Sequence, residues 1–144
     1  MTRAQGMNYE GFFKRAYGRE SEPEFGPYSY QCRSAEELWP CLLDMPMGLG
    51  KTLAWLWKRG WREGVRDKDV DCESPRRLVY CLPMRVLVEQ TAADIDGWLR
   101  ALDLYGNPGD GKVRVTVLMG GANEIKTWAE HPEEDMILVR TQDM

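Results

Sequence analysis

Met45-Pro-Met-Gly-Leu-Gly-Lys-Thr52 stands directly behind the apolar run Cys41-Leu-Leu-Asp-Met45 and directly ahead of a helical pattern from Lys51 to about Gly60. Glycines at 48 and 50 let the backbone curl so that successive N–H groups point inward at oxyanions. A helix opening on Lys51 adds the positive end of its dipole. Lys51 brings a mobile positive charge of the kind that meets β- and γ-phosphates, and the Thr52 hydroxyl can ligate Mg²⁺ held by the nucleotide. Met47 and Leu49 fill the positions between these groups. The opening glycine of the general G-x-x-x-x-G-K-[ST] pattern is replaced by Met45, so the segment fits the narrower Pro-x-Gly-x-Gly-Lys-Thr form. These residues predict a nucleoside triphosphate site.

Such a loop needs a strand to carry it and a helix to receive it, and the pattern around it supplies both. Ser34-Ala-Glu-Glu37 has the form of a capping box and predicts a short helix ending before Pro40. A strand over 41–45, the loop and the helix from Lys51 follow. Residues 63–75 are charged and read as a solvent loop. Leu78-Val-Tyr-Cys-Leu82 is continuously apolar, which predicts a parallel strand buried on both faces. Val88, Ala92, Ile95, Leu99 and Leu102 then recur at spacings of four, three, four and three, the core-facing stripe of a helix. Turn residues fill 105–111. Val113–Leu118 and Met136–Val139 predict two further strands, with a short helix around 122–130 between them. Strands alternating with helices give an α/β fold with a mostly parallel sheet and helices on both faces, whose ligands sit at the carboxyl ends of strands.

Composition narrows the classes. At 144 residues, 43% apolar and 29% charged, the chain has room for one domain with a real core. No apolar stretch approaches the roughly 18 residues of a membrane span, and Met1–Glu10 carry no apolar signal region, so a cytoplasmic location without membrane contact is expected. Cysteines 32, 41, 72 and 81 never fall two to four residues apart and the single histidine is His131, which argues against a zinc site. Cys41 and Cys81 fall in predicted strands and read as small core residues, and His131 reads as plain surface. The net charge of −4 works against nucleic-acid binding through a basic surface. Any such contact must rest on backbone N–H groups, helix N-termini and a few side chains.

Two further segments suit one chemistry. Phe25-Gly-Pro-Tyr-Ser-Tyr-Gln31 places an amide twenty residues before Lys51, and a glutamine can pair with the N6/N7 edge of adenine. Leu82-Pro-Met-Arg-Val-Leu-Val-Glu-Gln-Thr91 sets a helix N-terminus and Arg85 at a strand end, facing where the phosphates of a single strand can lie. Gly120-Gly121, taken alone, reads as a turn.

Together with Ile137-Leu-Val-Arg-Thr-Gln-Asp-Met144, these segments resemble the motifs of superfamily 2 helicases. They look most like the N-terminal RecA-like domain of the type I CRISPR-associated interference helicase/nuclease. The resemblance covers about residues 12–144, with Met84 in place of a usual threonine. It implies an adenine-reading glutamine motif in a lead-in over 1–33 and a partial P-loop NTPase (RecA-like) domain over 34–144. Gln31 and Met47–Thr52 would hold ATP, with Thr52 on Mg²⁺ and Phe13 stacking on adenine. Pro83, Arg85, Gly120, Gly121 and Thr141 would contact single-stranded DNA. The complete protein would translocate on and unwind DNA, partnered by a CRISPR effector complex.

The hydrolytic carboxylates of that family are not in these residues. No Asp-Glu step occurs anywhere in the chain, and the acids at 133–135 precede their strand. The expectation is an N-terminal fragment that stops before the motif II strand and binds nucleotide without turnover. Two other readings share the phosphate loop. A small-molecule kinase has no need of Gln31 or the Pro-x-Arg helix start, whereas a non-catalytic nucleotide-dependent module can use both.

Overall fold

The computed structural model describes residues 8–37, 41–42, 77–107, 110, 112–118 and 130–142. The chain divides into two compact units, Met1–Ser74 and Pro75–Met144.

In the first unit, Asn8 starts helix α1 (Tyr9–Ala16), its side-chain oxygen accepting from the Gly11 N–H at 3.0 Å. Tyr9, Phe12, Phe13 and Ala16 lie on one buried face, while Lys14 reaches back to Glu10 at 2.8 Å on the other. The helix ends in a Schellman arrangement. Gly18, at φ +65°, donates to the Arg15 carbonyl and Arg19 donates to that of Lys14. A side chain at position 18 would strain this left-handed turn. The chain then folds Phe25 back onto Phe13, ring centroids 5.4 Å apart, with the Arg19 guanidinium 4.0 Å over the Phe25 ring and bonded to Glu22.

Helix α2 (Ser29–Glu36) begins five residues before the predicted start at Ser34. The reason is a competing cap. The Gln31 side-chain oxygen accepts from the Tyr28 N–H at 2.8 Å, so the third helical residue caps the entry and Ser34 falls inside the helix. Cys41 and Leu42 are exposed and not in a strand, which corrects the expectation for the start of the 41–45 strand and for Cys41 as a core residue. Residues 43–45, the 51–60 helix and the 63–75 loop lie outside the described residues.

Among its described residues, the second unit is a three-stranded parallel sheet with helix α3 against it. Strands β1 (Arg77–Leu82), β2 (Arg114–Leu118) and β3 (Met136–Thr141) stand in the order β1-β3-β2. Leu78 pairs with Ile137 and Val115 with Ile137 on its other side, so β3 is flanked by both partners. That position explains its burial. Met136 to Val139 are all at or below 3% exposure, the pattern of a strand enclosed by neighbours and covered on its faces. β1 is parallel as expected but not buried on both faces. Val79 and Cys81 share one side and are exposed, because among the described residues β1 has a single strand neighbour. Cys81 is therefore no core residue.

Helix α3 (Arg85–Ala101) buries Val88, Ala92, Ile95 and Leu99, and Leu102 follows them just past its end, as the stripe predicts. Its C-terminus repeats the Schellman pattern with an aspartate at the left-handed position. Asp103 has φ +57°, Leu104 donates to the Leu99 carbonyl at 2.7 Å, and both leucines are buried. Tyr105 then bridges to Val113, so Val113 sits one residue outside β2, and the Arg100 guanidinium covers the Tyr105 ring at 4.0 Å. At the amino end of the sheet, Arg77 donates to the His131 carbonyl. His131 is exposed, with its ring 3.3 Å from Glu133. The Glu133 carboxyl is held below its usual range, first by a backbone hydrogen bond and then by His131 and Arg77. No helix among the described residues is long and apolar enough to cross a membrane.

Candidate functional site

A parallel sheet delivers all its strand ends to one edge, and two of the chemistry-bearing segments meet there. Leu82, the last residue of β1, is the register partner of Thr141, the last residue of β3. The Gln142 N–H donates to the Leu82 carbonyl at 3.1 Å, tying the two exits together. Pro83-Met84-Arg85 therefore leaves the sheet beside Thr141, although Arg85 and Thr141 lie 56 positions apart in sequence. Thr141 is half-buried, and its carbonyl accepts from the Arg140 Nε at 3.0 Å.

The start of α3 is chemically distinctive. Met84 is the N-cap, with extended backbone (φ −135°, ψ 142°) and no side-chain hydrogen bond to the first turn. No acidic residue lies in that turn, so the helix brings no carboxylate of its own to its first N–H groups and dipole. Pro83, Met84, Arg85 and Val86 are all exposed. An uncapped helix start, one guanidinium and a hydroxyl-bearing strand end can together receive a phosphate-bearing backbone without a high net charge. A threonine at 84 would carry a hydroxyl able to accept from these amides; the methionine side chain has none to offer.

In the first unit, Gln31 and Phe13 occupy positions that sequence spacing did not reveal. Gln31 belongs to the first turn of α2 rather than to a loop, is 2% exposed, and spends its oxygen on the Tyr28 N–H. Phe13 is 5% exposed and packs on Tyr9, Tyr17 and Phe25, with centroids 4.8 to 6.1 Å away. Burial sets a structural role for each beside any ligand role. Gln31→Ala is expected to cost about 1 kcal/mol in unfolding free energy, the worth of a lost cap. If the amide also reads the base, the same change weakens ATP binding more than GTP binding. Equal loss for both nucleotides, measured by titration against chemical denaturation controls, removes the base-reading role.

Met47, Gly48, Leu49, Gly50, Lys51 and Thr52 lie outside the described residues, as do Gly120 and Gly121. The rings of Tyr28 and Tyr30 are near-parallel, 14° apart with centroids at 6.3 Å, and Tyr28 is 60% exposed. The Tyr-x-Tyr-Gln string carries that signal, read as two aromatics two residues apart at the opening of a helix. The chain matches no protein-family model, no curated protein and no solved structure, so its function rests on its own residues and their arrangement.

Proposed function

We propose that this chain carries the ATP-binding and first DNA-contacting motifs of a superfamily 2 helicase, most like the helicase of type I CRISPR interference systems. The fold supplies a small parallel α/β sheet, which suits such a domain. ATP and Mg²⁺ would be held by Met47–Thr52, with Lys51 on the phosphates and the Thr52 hydroxyl toward the metal. Single-stranded DNA would run across the carboxyl edge of the sheet. A CRISPR effector complex would be the partner of the complete protein, where coupled hydrolysis drives translocation.

The observation that carries the reading is the Leu82–Thr141 register, which sets an uncapped helix start with exposed Arg85 beside a threonine at a neighbouring strand end. A small-molecule kinase has no use for that pairing. Oligo(dT) binding, followed by fluorescence anisotropy at low ionic strength, tests it. Arg85→Ala is expected to weaken binding about three- to tenfold and to flatten the log–log salt dependence by about 0.7, the slope lost with one phosphate contact on a single strand. Binding of equal strength and equal salt slope in the variant contradicts the DNA-contacting role. Retained Mg·ATP binding in that case leaves a nucleotide-dependent module that acts on something other than DNA.

A further inference from the structure

We infer that Arg140, half-buried near the carboxyl end of the middle strand, is a second phosphate contact for a single strand crossing this edge of the sheet. The inference rests on the DNA-contacting reading above and adds to it a residue that the sequence motifs do not assign.

β3 reads Met136-Ile-Leu-Val-Arg-Thr141, four buried apolar residues followed by a cation. Packing gives such a strand no reason to carry a charge. A guanidinium drawn part of the way out of water costs free energy unless an anion or a set of acceptors meets it. Among the described residues Arg140 forms no ion pair, and its hydrogen bond runs from Nε to the Thr141 carbonyl at 3.0 Å. That bond uses one of five guanidinium N–H donors and leaves the four on the terminal nitrogens. Other cations of the unit are engaged: Arg100 with Asp96 at 2.7 Å, Lys112 with Asp103 at 2.9 Å, and Arg77 with the His131 carbonyl.

The register says where those donors can act. Arg140 is paired with Cys81 of β1 on one side and Leu118 of β2 on the other. Cys81 is exposed and Leu118 is buried, so the open flank of Arg140 is the β1 side. β1 is the strand that runs on through Pro83 to Arg85, and neighbouring strands stand only about 4.8 Å apart. Arg85 is exposed and likewise forms no ion pair among the described residues. The Nε bond to Thr141 steadies the Arg140 stem while the terminal fork stays available. Such a fork matches two oxygens of one phosphate.

Charge is distributed along β3 in the same sense. The strand exits, residues 82–85 and 139–142, hold two arginines and no carboxylate. Glu130, Glu133, Glu134 and Asp135 all precede the strand, at its other end. A polyanion is therefore drawn to the carboxyl edge and repelled from the amino edge, although the chain as a whole carries a net charge of −4.

Oligo(dT) binding by fluorescence anisotropy over a salt series tests the assignment. The proteins are the 144-residue chain, Arg140→Gln, Arg140→Lys, Arg85→Ala and the Arg85→Ala/Arg140→Gln double variant, with circular dichroism and melting temperature as folding controls. Arg140→Gln keeps a polar stem of similar shape and loses the charge. It should weaken binding about three- to tenfold and flatten the log–log salt dependence by about 0.7, and the double variant should flatten it by about 1.4. Arg140→Lys keeps the charge and should keep the wild-type slope, a result that a purely structural role does not produce. A wild-type slope in Arg140→Gln beside a flattened one in Arg85→Ala overturns the assignment and leaves the DNA-contacting reading standing. A slope that falls equally in Arg140→Lys and Arg140→Gln also overturns it, since the charge is then not what binds. A wild type that does not bind oligo(dT) removes the reading and this assignment with it.

Discussion

The 144-residue chain is expected to bind Mg·ATP and to hydrolyse none of it above background, with or without single-stranded DNA. Phosphoryl transfer to water needs more than charge neutralisation at the β- and γ-phosphates. An acid must hold Mg²⁺ from the protein side, another must position the attacking water, and a further cation must meet the charge that develops in the transition state. On the proposed reading, Lys51 and the loop amides supply charge neutralisation alone. The chain has no Asp-Glu step, and Glu133, Glu134 and Asp135 precede β3, at the end of the sheet opposite the strand exits. An arginine finger alone is worth about 10³–10⁵ in rate in well-studied NTPases, so on the helicase reading, which places these groups in other segments, turnover is expected below detection. A coupled or radiolabel phosphate-release assay reads the outcome. Turnover that survives purification and disappears in Lys51→Ala would show a complete active site assembled from residues not identified above.

The second large effect is structural. Ile137→Ala is expected to cost about 2–5 kcal/mol in unfolding free energy. Ile137 is fully buried, lies in the middle strand of the sheet, and is paired to Leu78 on one side and Val115 on the other. Truncation there removes apolar burial and leaves a cavity where three strands meet, which neighbours held by ladder hydrogen bonds cannot close. Domains of this size are stable by only about 5–15 kcal/mol, so the variant should lose a large share of its folded population on mild warming. Val79→Ala, on the exposed side of β1, should cost less than about 0.5 kcal/mol. Urea denaturation of the two variants checks the contrast. Equal losses would mean that burial is distributed otherwise than the strand order implies.

That contrast also shows where sequence stopped being informative. The α3 stripe was readable because helical burial is periodic and local. Val88, Ala92, Ile95 and Leu99 had to share a face whatever lay opposite. The apolar runs at 78–82 and 136–139 looked alike, yet only the second is buried on both faces, because a strand's burial depends on its place in the sheet. The order β1-β3-β2 is a long-range fact with no local signature, and so is the exposure of Cys81. The start of α2 was misplaced because two capping patterns compete. Ser34–Glu37 has the commoner residues, but Gln31 reaches the Tyr28 N–H first.

Helix α1 had a signal that Gly and Pro nearby obscured. Tyr9, Phe12, Phe13 and Ala16 stand at helical spacing behind an Asn cap. For the site, the Pro83–Arg85 turn and Thr141 were legible singly as strand-end residues, whereas their adjacency follows from the parallel register alone. Gln31 and Phe13 show the reverse limit. Residue type suggested ligand contact, and burial gives each a packing role that spacing cannot express.

Binding of Mg·ATP to the chain and to Lys51→Ala, measured by isothermal titration calorimetry under identical conditions, bears most directly on the claim that the segment from Met45 to Thr52 is a phosphate-binding loop. Lys51 is a charged residue, so its truncation is expected to leave the melting temperature nearly unchanged while removing, on the proposed reading, a charged partner of the phosphates. Saturable, Mg²⁺-dependent binding by the wild type is expected, with at least about a tenfold loss in Lys51→Ala, corresponding to about 1.4 kcal/mol or more. Equal affinity in the two proteins, or no Mg·ATP binding by a folded wild type, would contradict it.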